Sequence, residues 1–122
     1  MFFVDIFKSK THTIGYQVKL QFQISQHSRD AKLIRSLEQY FNCGRVKEPS
    51  GRLDLNFVVT KFSDIESKII PFLKKYPLQG AKRLDFESFV QVAEIFKIKG
   101  HLTAEGFQKI QKIKSGMNTG RV

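Results

Sequence analysis

A chain of 122 residues has room for one domain with a modest core, and its single cysteine, Cys43, excludes an intrachain disulfide framework and a CxxC metal site. Lysine and arginine number 21 against 11 acids, a net charge of +10, which favours nucleic acid, an anionic membrane or another acidic partner and is silent on fold. No apolar run approaches the ~18 residues of a membrane span, the opening MFFVDIFKSK lacks a basic leader, and the scattered His12, His27 and His101 lack zinc-ligand spacing.

Phe2 to Lys8 alternates, with Phe2, Val4 and Ile6 against Phe3, Asp5 and Phe7, and reads as a strand. The polar connection Ser9–Gly15 leads to Tyr16–His27, where the alternation is strict. Val18, Leu20, Phe22 and Ile24 take one parity; Gln17, Lys19, Gln21, Gln23 and Ser25 take the other. Successive strand side chains point to opposite faces. One face is therefore apolar and the other carries long amide and hydroxyl groups, the types that read base edges in a DNA groove. A strand from Tyr16 to Ser25 would span roughly 33 Å, near the ~34–36 Å of one B-DNA turn. The two strands form a hairpin with a long basic tip.

Ser28 or Asp30 can cap a helix through Leu33, Ile34, Leu37, Tyr40 and Phe41, an apolar stripe at helical spacing. Gly44 is placed as its left-handed terminus. Arg45-Val46-Lys47 starts a short strand, Pro49-Ser50-Gly51 turns it, and Arg52 to Lys61 returns, with Leu53, Leu55, Phe57 and Val59 alternating with Asp54, Asn56, Val58 and Thr60. Ser63 and Glu66 have the spacing of a capping box, and Pro71 should bend or end the helix that follows. After a basic connection, a helix from about Leu84 carries Phe86, Phe89, Val90, Ala93 and Phe96 on its apolar side. Thr103 can cap a last helix with Phe107, Ile110 and Ile113 inward and Lys109, Lys112 and Lys114 outward. Residues 1–115 form the expected domain and 116–122 a loose tail.

The order ββα–ββα–αα defines an α+β fold, a four-stranded antiparallel sheet backed by helices. Acids occur singly on helix surfaces or at caps, so a self-contained active site is not expected. A polar, basic sheet face is a coherent nucleic-acid platform. A regular ribbon suits the DNA major groove, whereas the deep, narrow RNA groove resists it.

In FFVDIFKSK, QVKLQFQISQHSRD, FNCGRVKE, FVVTKFSDI, KIIPFLKKYPL, KRLDFE and HLTAEG with KSGMNTGRV, the chain resembles the C-terminal half of a single-chain LAGLIDADG homing endonuclease of the kind encoded in fungal mitochondrial introns. The resemblance implies two αββαββα halves packed through signature helices, each sheet lying in the major groove of double-stranded DNA. The DNA-facing residues would be Asp5, Phe7, Ser9, Lys10, Gln17, Lys19, Gln21, Gln23, Ser25, Arg45, Lys47, Asp54, Asn56, Val58 and Thr60. Lys82 would lie near the scissile phosphate as the catalytic lysine. In the family, the signature helix and its metal-binding acid lie immediately upstream of the position of Phe2, and here residue 1 is Met1. The resemblance thus implies a unit without that acid, which binds DNA weakly, does not cleave alone and holds no Mg²⁺ by itself, although the intact family enzyme uses Mg²⁺. Its partner would be the missing N-terminal half or a second copy, and its location mitochondrial. A maturase-type role on RNA, through a basic surface such as Lys109, Lys112 and Lys114, and a folded domain without retained activity are the alternatives.

Overall fold

The two periodicities, of two for strands and 3.6 for helices, divide the chain in the order they predict. A computed structural model of the protein describes residues 1–11, 14–48 and 54–117. Strands β1 (Phe2–Lys8) and β2 (Tyr16–His27) lead through a 3-10 turn (Ser28–Asp30) into helix α1 (Ala31–Phe41). Strands β3 (Arg45–Lys47) and β4 (Asp54–Val59) lead into α2 (Phe62–Asp64), a π-helical segment (Ile65–Ile69) and α3 (Ile70–Lys75), which follow one another without a break. Helix α4 (Ala81–Lys97), a second 3-10 turn (Gly100–Leu102) and α5 (Ala104–Ser115) complete the described chain. The strands make one antiparallel sheet in the order β1-β2-β4-β3.

Register decides which residues enter the core. Phe2, Val4 and Ile6 lie opposite Phe22, Leu20 and Val18, while Phe22 and Ile24 lie opposite Val59 and Phe57. Phe22 is thus paired on both sides, and β2 joins two hairpins at that rung. Alternation carries the same parity through the sheet, and Phe2, Leu20, Phe22, Phe57 and Val59 are 0–2 % exposed. Ile34 of α1, Ile65 and Ile69 of the π segment, Phe89 and Val92 of α4, and Ile110 of α5 cover that face from the other side. The Phe2 ring lies 5.2–5.6 Å from the rings of Phe22, Phe86 and Phe89. Full burial of each such side chain is worth about 1.5–3 kcal/mol. Thr103 caps α5 as expected, accepting from Gly106 N at 3.1 Å. Inside α5, a Cβ on Gly106 would lie 2.0 Å from the Gly100 carbonyl oxygen, so helix and turn meet backbone to backbone.

Several local expectations are corrected. Leu33 and Tyr40 are 60 % and 66 % exposed. Each precedes a core residue (Ile34, Phe41) by one position, about 100° around the helix, and falls on the flank of a narrower stripe. Asn42 at φ 53° takes the left-handed capping position of α1; Gly44 is also left-handed, at φ 79°, where a Cβ would meet the Phe57 ring at 2.8 Å. No side-chain cap bond forms at α2, because the helix begins at Phe62 with Lys61 as its cap and Ser63 falls inside the first turn. Pro71 neither ends nor interrupts the helix. The preceding π segment has the Ile70 N–H bonded to the Ile65 carbonyl, and the wider turn relieves the clash a proline ring makes with the carbonyl four residues back. Helix α4 starts at Ala81, with Gly80 at φ 63° before it, and buries Val92 with Phe86, Phe89 and Ala93 of the expected stripe, while Val90 and Phe96 are half-buried against the core. Met117 is 5 % exposed and belongs to the core, so the packed unit extends past Ser115. The turn Pro49-Ser50-Gly51, the start of the fourth strand at Arg52 and Leu53, and the tail beyond Met117 lie outside the described residues.

Candidate nucleic-acid interface

The face of the sheet turned away from the helices gathers most of the site read from sequence. Asp5 lies opposite Lys19 and Phe7 opposite Gln17. Gln23 faces Val58 and Ser25 faces Asn56, while on the far side of β4 Arg45 faces Val58 and Lys47 faces Asn56. Two rungs therefore run across three strands, Gln23–Val58–Arg45 and Ser25–Asn56–Lys47. Asp54 lies at the end of β4, opposite His27. Thr60 is exposed just past the end of β4, and Ser9 and Lys10 belong to the connection after β1, which the Ser9 N–H closes by donating to the Gly15 carbonyl at 2.9 Å. From Tyr16 to His27 the strand spans ~37 Å.

Two features set this face apart electrostatically. Its amides and hydroxyls are tied together. Gln21 donates to Gln23 at 3.0 Å, Gln23 to Ser25 at 3.1 Å, and Ser25 to Asn56 at 2.7 Å. Its cations are available. Among the described residues Lys19, Arg45 and Lys47 enter no ion pair, as is also true of helix cations such as Lys74, Lys75, Lys112 and Lys114, whereas four other helix cations pair with acids: Arg83 with Glu87 at 3.3 Å, Lys97 with Glu66 at 3.0 Å, Lys68 with Asp64 at 3.7 Å, and Lys109 with Glu105 at 3.6 Å. Arg35 pairs with Glu48 at the margin of the sheet. Unpaired guanidinium and ammonium groups over a polar sheet offer phosphates charge-assisted bonds without first breaking an internal pair.

Val58 has this parity but is 4 % exposed, and it stands outside the main core cluster. Flanked by Gln23 and Arg45 in register, it supports longer neighbours instead of presenting its own methyl groups. Two further residues of the face are absent from the set expected on sequence. Phe3 lies half-buried opposite Gln21; the parity of Asp5 and Phe7 signals it. His27 continues the parity of Ser25, and its Nδ1 accepts from the Arg29 N–H at 3.1 Å, which fixes the start of the 3-10 turn. Nothing in its sequence neighbourhood marks that bond.

Lys82 stands apart from the face, exposed in the first turn of α4. Lys82 and Asp85 both lie near Met1 at the start of β1. Asp85 is 9 % exposed, the buried charged residue of the described chain. A divalent cation needs several converging oxygen ligands. Among the described residues no group of three or more His, Cys, Asp or Glu is placed to hold one. No helix among the described residues is long and apolar enough to cross a membrane.

A family model described as LAGLIDADG endonuclease matches residues 1–93. The chain belongs to the LAGLIDADG endonuclease family. It is 41 % identical over 103 residues to the probable intron-encoded endonuclease 2 of Neurospora crassa, covering 84 % of this chain and 23 % of that protein. Among solved LAGLIDADG structures, the meganuclease I-SmaMI bound to uncleaveable DNA superposes with a TM-score of 0.96 at 43 % identity, covering 99 % of this chain and 41 % of that one. The LAGLIDADG homing endonuclease I-LtrWI bound to target DNA gives 0.95 at 43 % identity, covering 100 % and 41 %. The sheet and its helices are therefore the LAGLIDADG homing-endonuclease fold. The chain spans roughly a quarter of the Neurospora crassa intron-encoded endonucleases 2 and 3 and two-fifths of those solved structures.

Proposed function

We propose that these residues are the DNA-recognition half of a site-specific homing endonuclease, laying the β1-β2-β4-β3 face along the major groove of duplex DNA for about one turn. The observation that carries the reading is the combination on one register-aligned face of three cations, Lys19, Arg45 and Lys47, that enter no ion pair among the described residues, with a tied row of amides and hydroxyls. The cations hold phosphates, which position the protein, and the amides reach base edges, which carry sequence. The likeness to the meganuclease I-SmaMI, whose structure holds uncleaveable DNA, supports DNA as the ligand class. Lys82, near the start of β1, would place a positive charge beside the phosphate to be cut. Cleavage then needs Mg²⁺ and acids that these residues do not gather, supplied by the other half or a second copy. The intron-encoded relatives from Neurospora crassa support a mitochondrial setting.

The test is selection of duplexes from a randomised pool by the purified chain, followed by affinity measurement across a salt series with and without Mg²⁺. Enrichment of one half-site, lost on Lys19→Ala with Gln21→Ala, is expected. Binding that fades uniformly with salt would reduce the surface to a non-specific basic patch. Cutting by the chain alone in Mg²⁺ would overturn the division of labour. Binding to RNA that survives the sheet changes but falls with Lys112→Ala and Lys114→Ala would favour the maturase-type alternative instead.

A further inference from the structure

The row of tied side chains has a property that its separate members lack. A carboxamide accepts at one end and donates at the other, and a hydroxyl does both. In the row, Gln21 Nε2 donates to Gln23 Oε1, Gln23 Nε2 to Ser25 Oγ, and Ser25 Oγ to Asn56 Oδ1. Turning Gln21 or Gln23 alone sets donor against donor, or acceptor against acceptor, whereas Asn56 alone can turn and donate to the second lone pair of the Ser25 oxygen. Turning all three, with the hydroxyl rotated to match, restores every link in the opposite sense: Asn56 to Ser25, Ser25 to Gln23, Gln23 to Gln21. The row therefore has two full polarities and one further arrangement in which Gln23 and Asn56 both donate to the Ser25 oxygen. The fourth combination, an open donor at the Gln21 end with an open donor at the Asn56 end, would need the single Ser25 proton twice and leaves a link broken.

The two polarities show DNA different ends. In the observed one, Gln21 Oε1 and Asn56 Nδ2 are the groups not used by the row. An open acceptor at the Gln21 end suits the amino group of adenine or cytosine, and an open donor at the Asn56 end suits guanine N7 or O6, adenine N7 or thymine O4. The reversed polarity exchanges these preferences. Gln21 to Ser25 covers ~13 Å of strand, about four base steps at ~3.4 Å each.

We propose that Gln21, Gln23, Ser25 and Asn56 read the duplex as one coupled unit, in which an open donor at one end excludes an open donor at the other, so that the base contacted at one end biases the preference at the other, with the single Ser25 proton as the coupling element. This rests on the major-groove reading above. Coupling of this kind is reciprocal. A base change at either end alters the preference at the other by the same factor.

The probe is the duplex that the chain itself selects from a randomised pool. Affinities are measured for it and for its single and double base-pair changes at the two ends of the tract facing Gln21 and Asn56. The double change is expected to bind about fivefold tighter than the product of the single effects predicts, the worth of one net hydrogen bond. Ser25→Ala should weaken binding and make the two ends additive, and Ser25→Thr, which keeps the hydroxyl, should keep them coupled. Additive effects in the unaltered chain, or coupling that persists in Ser25→Ala, would overturn the proposal. A separate measurement distinguishes its failure from failure of the DNA reading. In the free chain, Ser25→Ala should shift the side-chain amide NMR signals of Gln21, two links away. An unmoved Gln21 signal overturns the row as a unit even where a half-site is selected. A shifted signal with no half-site selected overturns the DNA reading instead.

Discussion

The two faces of β2 are written on the same twelve residues and obey different physics. Val18, Leu20 and Phe22 are 2–4 % exposed and held by burial, which has no direction and depends on filled volume. Gln17 and Lys19 are exposed, Gln21 and Gln23 half-buried, and the last two are held by bonds whose direction and partner are specified. The inward face determines where the strand lies, and the outward face determines what it can touch. Stability and recognition should therefore separate by parity. Val58, an apolar residue on the reading face, is where the division is least clean.

The hardest blow to the inward side is Phe57→Ala. Phe57 is 0 % exposed and lies 5.9 Å from the Phe41 ring, so denaturant unfolding should show a loss of about 3–5 kcal/mol, a large part of the ~5–15 kcal/mol that holds a domain together. A loss near zero would break the comparison. The adjacent pair Val59 and Val58 sharpens it. Val59→Thr places a hydroxyl in the core and should cost about 1–3 kcal/mol, whereas Val58→Thr places it between Gln23 and Arg45, where partners are at hand, and should cost less. Equal costs in thermal melts would mean that Val58 is an ordinary core residue. On the outward side, Lys19→Ala, Arg45→Ala and Lys47→Ala should each leave stability within ~0.5 kcal/mol. Each should also weaken every duplex alike and reduce the salt slope by about 0.9, one phosphate's worth. The smallest effect lies off both faces. Burial, then Asp64, pushes the Cys43 thiol above its ordinary pKa, with Lys68 opposing. The thiol stays protonated where a free cysteine begins to ionise, so alkylation at mildly alkaline pH should be slower in the folded chain than in urea, and Asp64→Asn should quicken it.

The strands and their parity were legible because alternation is a local signal. Phe2–Lys8 and Tyr16–His27 stand where the pattern puts them, and the outward residues meet across strands as expected. Features that depend on partners far along the chain were not legible. The stripe of α1 was read too wide, because the sheet accepts Ile34 but leaves Leu33 at the edge. The π segment before Pro71 solves a steric problem that the sequence poses without choosing the solution. At the interface, types and positions could be read, while the directed links Gln21–Gln23–Ser25–Asn56 and the covering of Val58 depend on a register that only the folded sheet supplies.

The stagger at Phe22 has a consequence for descent. β1 pairs with β2 from Tyr16 to Phe22 and β4 pairs with it from Phe22 to His27, so the two hairpin connections lie at opposite ends of the long strand. Lineages can lengthen or shorten either connection without moving a rung, because loop length costs little. A single insertion within β2 would turn glutamines inward and apolar residues such as Leu20, Phe22 and Ile24 outward beyond it, ruining core and outward face together. Change in such a strand is channelled: what its outward face touches can be altered by exchanging outward residues one at a time or by remodelling the tips, but not by shifting the frame of the strand between them.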